Sequence, residues 1–347
     1  MSDRIYPVSL ADAAELICGK NALILCHVNP DGDAVGSATA LLELIRLTRG
    51  DGRVVTPSPV ADRLKFIAGD GDTAYVPHME NDYDIVLAVD TASPSQLGNL
   101  DFLAEKVALS FDHHENCTLY SPYVLYKNSA AAGIVVLDLL RELERTGRIT
   151  GDAAGVLRRI WAAIASDTGS FKYSNADAEA FSAAAEISRR LAGTAASGKC
   201  PIDFMTTSDI SSSLFDNVTK KDIAVRQVTY RNLRYICDGR IALSVITYDE
   251  MKKADLTLED LGGMVDSVRS VDGTAAGIAL KQSAKNVWRG SSRANVDFDV
   301  SVPASQLAGG GHKRAAGFTV EADSADEAIA ITERIFGKAL ADAGYME

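Results

Sequence analysis

Paired thiols are missing from this chain. Its five cysteines (Cys18, Cys26, Cys117, Cys200, Cys237) are scattered, odd in number and form no CxxC. That argues against a disulfide framework or a thiolate zinc site and leaves reduced thiols in a cytoplasmic protein as the simplest reading. Long apolar runs are absent too: none approaches the ~20 residues a membrane span needs. The opening stretch "MSDRIYPVSLADAAEL" has acids where a secretory signal would have its apolar core. Positive charge is scarce, with 35 Lys and Arg against 47 Asp and Glu and a net charge of −12. A broad basic face for coating nucleic acid is therefore excluded, although a small anionic substrate in a local basic pocket is not. Internal repeats and low-complexity tracts are also lacking.

What is present suits a soluble globular protein. The 347 residues are 47% hydrophobic and 24% charged, enough for two domains with separate cores. The first half alternates apolar strand-like runs with helical patterns, which predicts an α/β domain with a mostly parallel sheet. "NALILCHV", "DIVLAVD" and "KVALSFD" read as buried strands. "AVGSATALLELIRLT", "AAAGIVVLDLLRELERTG" and "DAAGVLRRIWAAIASDTG" read as helices. Around "LAGTAASGKCP" the pattern dissolves into small residues, a Gly and a Pro, which places a linker at 191–215. The domains expected are then 1–190 and 216–347. The second opens on a hairpin, "LRYICDGRIALSVITY", turning at Asp238-Gly239, and ends on the helix "SADEAIAITERIFGKALADA". It reads as a smaller α+β domain.

Four places in the first half put acids or histidines directly after apolar segments. They are "HVNPDGDAVG" (His27, Asp31, Asp33), "AVDTAS" (Asp90), "FDHH" (Asp112, His113, His114) and "ASDTGS" (Asp167). Each alone has an ordinary explanation: a lone Asp after a strand is a helix N-cap, and "NPDGD" is a turn. Together they weigh differently, because four of only five histidines fall in "HVNPDGD", "FDHH" and the later "GGGH"; His78 is left without a role. Ligands in open α/β sheets bind at the carboxyl ends of strands, so a single parallel sheet would bring these sites to one edge. Asp31, Asp33, Asp90 and Asp167 would then crowd four carboxylates together, with no Lys or Arg in the quoted motifs to neutralise them. Two divalent cations would, with His27 and His113 completing the coordination. Carboxylates with a few imidazoles and no thiolates favour Mn²⁺ or Mg²⁺. Two metals roughly 3.5–4 Å apart are the arrangement used for in-line displacement at phosphorus.

"HVNPDGDAVGS", "AVDTAS", "FDHHENC" and "IASDTGSF", with "GGGHKRAAGF" at 309–318, resemble in order and spacing the DHH/DHHA1 phosphoesterase family. The resemblance spans nearly the whole chain. It implies that His27 and Asp31 bind one metal, that Asp33, His113 and Asp167 bind the other, and that Asp90 bridges both. Asp112 would orient a histidine, and His114 would face the scissile phosphate as a hydrogen-bond or proton donor. None of the metal-binding positions departs from the family pattern.

The second domain has its own signal. In "GGGHKRAAGF" the glycines let backbone amides approach an anion, with His312, Lys313 and Arg314 supplying charge. A glycine-rich turn with a solvated basic pair is the plain alternative. Upstream, Lys281, Lys285, Arg289 and Arg293 surround Trp288, a combination suited to a short single strand with a ring available for stacking. The resemblance favours Gly309, Gly310, Gly311 and His312 as substrate-binding, with Arg293 a phosphate clamp. Chain length and the plain two-domain layout match the branch of the family that hydrolyses short RNA (nanoRNA) to mononucleotides and removes the 3′-phosphate of 3′-phosphoadenosine 5′-phosphate (pAp), with Mn²⁺ and as a homodimer. Alternatives are a pApA or cyclic di-AMP phosphodiesterase, an inorganic pyrophosphatase with a similar metal site, and a non-catalytic nucleotide-binding module.

Overall fold

The computed structural model describes residues 6–68, 73–75, 83–114, 117–118, 120–121, 123–149, 151–195 and 198–346. His78 lies outside them. The chain divides into two compact units, Met1–Asn217 and Val218–Glu347.

Unit 1 is built on β1 (Tyr6–Pro7), β2 (Asn21–Leu25), β3 (Asp51–Thr56), β4 (Thr73–Tyr75), β5 (Ile85–Val89), β6 (Val107–Asp112) and β7 (Tyr123–Tyr126). These form one seven-stranded sheet in the order β1-β7-β6-β5-β2-β3-β4, every pairing parallel. The central strands are continuous apolar runs because both faces are covered. One face packs under α1 (Leu10–Ile17), α2 (Gly32–Leu47), α3 (Ala132–Arg145), α4 (Ala154–Asp167) and α5 (Ala178–Leu191). The other buries Leu23, Leu25, Val55 and Ala88 against Leu97, Leu100 and Leu103 of a 3₁₀ segment, Pro94–Lys106. The chain leaves β2 outward to β3 on one side, whereas β5 lies on the other. The carboxyl ends of β2, β5 and β6 therefore flank a topological switch point. Helices α2 and α4 approach closely at Gly36, where a Cβ would stand 2.8 Å from the Arg159 carbonyl oxygen.

The segment 191–215 is not the linker its composition suggests. Pro201–Phe204 forms a 3₁₀ turn, and Thr206 with Asp209 makes a capping box that starts α6 (Thr207–Phe215). Cys200, Ile202, Ile210 and Leu214 pack on Val35, Leu64, Ala162 and Ala165. Asp203 accepts a 2.7 Å hydrogen bond from Arg159 of α4, both side chains being buried. Glycine and proline mark real breaks here, but the partners that fix the segment lie far earlier in the chain, from Val35 and Leu64 to Arg159, and leave no local trace.

Unit 2 contains α7 (Lys220–Arg231), β8 (Leu233–Ile236), β9 (Ile241–Ile246), α8 (Tyr248–Lys253), α9 (Met264–Arg269), β10 (Ala276–Ala284), β11 (Val287–Ala294), α10 (Ser301–Ser305), β12 (Gly310–His312), β13 (Ala315–Glu321) and α11 (Ala325–Asp342). Its mixed sheet runs β12-β13-β11-β10-β9-β8, with only β9 and β10 parallel. The expected hairpin is β8–β9, its turn carrying positive φ at Asp238 (52°) and Gly239 (79°). Helices α10 and α11 cover one face, while α7, α8 and α9 cover the β9–β10 end of the other. The architecture is thus the expected parallel-sheet α/β unit followed by a smaller α+β unit. Among the described residues no helix is long and apolar enough to cross a membrane.

The buried Arg159–Asp203 pair yields a stability prediction. Asp203→Ala strands a guanidinium in the interior and should cost about 3–5 kcal/mol in urea unfolding, whereas replacing both residues with apolar ones should cost less.

Candidate metal centre

Three adjacent strand ends and one helix end supply the cluster. β2 runs out into His27 and the turn that starts α2; Asp90 directly follows β5; β6 ends at Asp112, followed by His113 and His114. Asp167 is the last residue of α4, in the segment read as the helix "DAAGVLRRIWAAIASDTG", and so joins the cluster from a helix end where the other sites come from strand ends. A carboxylate there faces the negative end of the helix dipole, an unfavourable place that structure alone does not call for. The approach of α4 to α2 is tight enough that a Cβ on Gly32 would lie 2.5 Å from Ser166 Oγ. The glycine of "DGD" therefore lets Asp31 and Asp33 sit beside Asp167.

Asp31 caps α2, its Oδ1 accepting from the amides of Asp33 and Ala34. The cap and the cluster are one feature. Asp33 is fully buried and reaches across to α3, whose own N-cap is an alanine. Its Oδ2 accepts from the Ala132 amide at 2.7 Å, and its Oδ1 from the Gly133 amide and the Ser37 hydroxyl. Asp90 sits at φ 52°, a costly conformation for a non-glycine residue, with its amide held by the Phe111 carbonyl.

The two Asp90 oxygens face different partners. Oδ2 lies 3.6 Å from His27 Nε2; Oδ1 lies 3.4 Å from His113 Nε2 and 3.7 Å from His114 Nδ1. His27 Nε2 is also 3.9 Å from Asp31, while His113 Nε2 is 3.7 Å from Asp33 and 3.8 Å from Asp167. Three overlapping groups could each hold an ion: His27–Asp31–Asp90, Asp33–His113–Asp167 and Asp90–His113–His114, with ligand atoms in each within 4.8 Å of one another. His27 Nδ1 is 2.9 Å from the Val28 carbonyl and His113 Nδ1 is 3.0 Å from the Ser129 carbonyl. A carbonyl can only accept, so each Nδ1 carries the hydrogen and each Nε2 turns to the carboxylates, as in metal-ligating histidines. Asp90 Oδ1 is buried without a hydrogen bond. An orphaned carboxylate oxygen 3.4 Å from His113 Nε2 fits a cation well.

Without a cation the cluster holds protons. Burial disfavours the charged imidazoles, yet Asp31 and Asp90 raise His27 to about 10. Against the same burial, Asp90 and Asp33 raise His113 to about 10. Burial pushes Asp90 up, but His113 and His27 more than offset it and hold it below the usual carboxylate range. Burial and the neighbouring acids raise Asp33 well above that range, and raise Asp167 to about 6. His114 is different: its Nδ1 and its amide both meet Asp112 Oδ1 at 2.8 Å, and this bond raises its pKa. Its side chain is 42% exposed, the most open histidine of the three.

In unit 2, direct cross-strand pairing puts Arg293 opposite Ala315 and Ala315 opposite His312, so all three share a face. Gly309, Gly310, Gly311 and His312 are exposed. A Cβ would strike β13 backbone at Gly309 (2.1 Å) and Gly311 (2.5 Å) but meets nothing within 4 Å at Gly310. Packing accounts for two of the three glycines and leaves Gly310 to another cause. Lys313 pairs with Asp297, and Arg314 donates to the Val296 carbonyl. The stacking role expected for Trp288 is wrong: the ring is 2% exposed in the unit 2 core, its Nε1 donating to the Ala322 carbonyl. Alternation along β11 puts it on the face opposite Arg289 and Arg293. Lys281 is likewise committed to the Leu261 carbonyl.

Two family models match this chain, "DHH family, N-terminal domain" over residues 21–158 and "DHHA1 domain" over 238–338, together well over half its length. The chain belongs to the DHH/DHHA1 family. It is 25% identical to the probable bifunctional oligoribonuclease and PAP phosphatase NrnA of Streptococcus mutans, covering 84% of this chain and 86% of that one. It is 23% identical to the bifunctional oligoribonuclease and PAP phosphatase NrnA of Bacillus subtilis, covering 89% and 92%. Among solved structures, an exopolyphosphatase-related protein from Bacteroides fragilis superposes with a TM-score of 0.80 at 19% identity, over 96% of this chain and 95% of that one. RecJ of Thermus thermophilus in complex with Mn²⁺ superposes at 0.51 and 16% identity, over 97% of this chain and 56% of that one.

Within this DHH unit one contributor escaped the sequence reading. Asn175 Nδ2 donates to the Asp167 carbonyl (3.1 Å) and the Ala130 carbonyl (3.2 Å) and lies 3.5 Å from Asp167 Oδ2. It ties the end of α4 to the approach to α3, and no local motif announces an amide whose partners are far away in sequence.

The proton holding can be tested by pH. Histidines raised from 6.5 to about 10 contribute stability below pH 6.5 that disappears as pH rises through 10. Asp167, raised from 3.8 to about 6, acts in the same direction across the lower window. Chelator-treated protein should therefore lose Tm as pH climbs from 6.5 to 10. The Tm increment from added Mn²⁺ should grow over the same range, since a cation displaces those protons. A pH-independent increment in calorimetry would refute the linkage.

Proposed function

We propose that the chain is a two-metal phosphoesterase that hydrolyses short RNA to nucleoside monophosphates and removes the 3′-phosphate of pAp. The observation that carries this is Asp90, a buried carboxylate whose two oxygens face two separate histidine and acid groups. The relatives named as bifunctional oligoribonuclease and PAP phosphatase support the substrate class. His27 and Asp31 would hold one cation, Asp33, His113 and Asp167 the other, and Asp90 both. Mn²⁺ suits this set of oxygens and imidazoles, with Mg²⁺ the alternative. Bound there, the cations would supply Lewis-acid stabilisation and an activated water for in-line displacement.

The chain's own residues do the rest. Asp112 holds His114 Nδ1 and favours the imidazolium, leaving Nε2–H to donate to a phosphate oxygen or the leaving group. The buried donors around Asp33 keep its carboxylate fixed without any need for reorganisation. Residues 1–190 would hold the catalytic cations and 216–347 the substrate, with Arg293 and His312 gripping a phosphate on the open face of unit 2. Gly310, free of packing constraints, would admit the nucleotide backbone. A soluble cytoplasmic enzyme working as a homodimer completes the proposal.

Product release with Mn²⁺ from RNA two- to five-mers, pAp, pApA and cyclic di-AMP tests this. Mononucleotides from the short RNAs and AMP from pAp are expected, with turnover lost in Asp90→Ala. Gly310→Ala should fold normally and raise KM roughly tenfold with kcat kept, a loss of ground-state contact alone. Preference for cyclic di-AMP over every RNA would overturn the substrate assignment.

A further inference from the structure

A second polar cavity lies wholly within unit 2, away from the glycine loop. It is a solvent-open groove of about 540 Å³, lined by the exposed Arg240 at the β8–β9 turn, Arg269 at the end of α9, the loop 270–275, Asn295 and Val296 after β11, and Tyr345. The volume falls in the range of small-ligand sites, roughly 300–1,000 Å³. Two guanidiniums face one lining carboxylate, Asp272, whose Oδ1 is occupied by the Gly273 amide. In a chain of net charge −12 this is a local reversal of sign.

The side chains here are held, yet their donors are not used up. Arg240 Nε donates to the Tyr345 carbonyl at 3.0 Å, which orients the guanidinium, and its terminal nitrogens have no partner among the described residues. Arg269 is half-buried, and its guanidinium makes no hydrogen bond or ion pair among the described residues. Both guanidiniums keep donors open to solvent, so a phosphate can meet them without first breaking an internal hydrogen bond. Asn295 Nδ2 donates to the Arg269 carbonyl at 2.8 Å and to Thr274 Oγ1 at 3.0 Å, bracing the floor. Val271, Ala275, Val296 and Tyr345 add apolar surface beside the charged end.

We propose that this cavity binds a phosphorylated nucleotide unit, its phosphate between Arg240 and Arg269 and its nucleoside against Val271, Val296 and Tyr345. The planar forks of two arginines suit a phosphate in a bidentate manner. The ligand has two sources: a further nucleotide of an RNA strand, or a free mononucleotide. The first source rests on the phosphoesterase reading; the second does not.

The test uses the full chain and the variants Arg269→Gln, Arg269→Lys and Arg293→Ala. Calorimetry with AMP, in chelator so that no turnover intervenes, should show two sites in the unmodified protein. Arg269→Gln should lose one of them, with affinity at least about tenfold weaker, Arg269→Lys should recover part of it, and Arg293→Ala should lose the other. Steady-state kinetics with Mn²⁺ then separates the sources. A KM for the five-mer raised about tenfold in Arg269→Gln, with the dimer and pAp unchanged, identifies a strand subsite. Unchanged KM at every length, with loss of AMP effects on turnover, identifies a free-nucleotide site. AMP binding and length dependence both unaltered in Arg269→Gln would overturn the proposal. Absence of RNA turnover in the unmodified protein would count against the phosphoesterase reading alone, because the calorimetric arm stands without it.

Discussion

Asp33, Asp90 and Asp167 each come within 3.8 Å of one imidazole nitrogen, His113 Nε2, in a place where Asp33 and Asp90 are almost wholly shielded from water. Mutual repulsion among buried carboxylates is the constraint on which the surrounding structure depends. Each is held by something bonded elsewhere. Helix α3 lends two N-terminal amides to Asp33, the Phe111 carbonyl fixes Asp90 in a left-handed conformation, and Asn175 ties down the end of α4. Without a cation the histidines take up protons in its place, so the centre exchanges one form of positive charge for another.

Much of this was legible in the sequence because strand ends announce themselves. Apolar runs that stop at Asp90, Asp112 and the turn after His27 place their acids by topology alone, and a parallel sheet brings neighbouring ends together. Asp167 was legible only as a motif. Its helix is legible in "DAAGVLRRIWAAIASDTG", but a helix that ends on an acid carries no topological reason of its own to meet the strand ends. What brings it to Asp33 is the contact of α4 with α2 at Gly32 and Gly36, a long-range packing fact.

The failures share a cause. The segment 191–215 reads as a linker because small residues, a Gly and a Pro fill its start, while its tether, Asp203 on Arg159, spans 44 residues. Trp288 was taken for a stacking platform because basic residues flank it, yet strand alternation turns it inward. Composition around a residue says less than the parity of its position in a strand. The Arg240–Arg269 cavity was invisible for the converse reason, its residues being drawn from a hairpin turn, a helix end and its following loop, the end of β11 and the segment after α11, without any shared motif.

His113 and His114 show how one strand end supports two kinds of chemistry. Both follow Asp112, but their Nδ1 atoms are claimed by different acceptors, a neutral carbonyl for His113 and a carboxylate for His114. The carbonyl fixes a tautomer without adding charge, which leaves Nε2 a good lone pair for a cation. The carboxylate favours the imidazolium, which makes Nε2 a donor instead. Ring position follows the same division, His113 buried among acids and His114 half open. On the proposed two-metal reading, adjacent histidines of identical chemistry would divide into a ligand and a donor by what lies behind each ring.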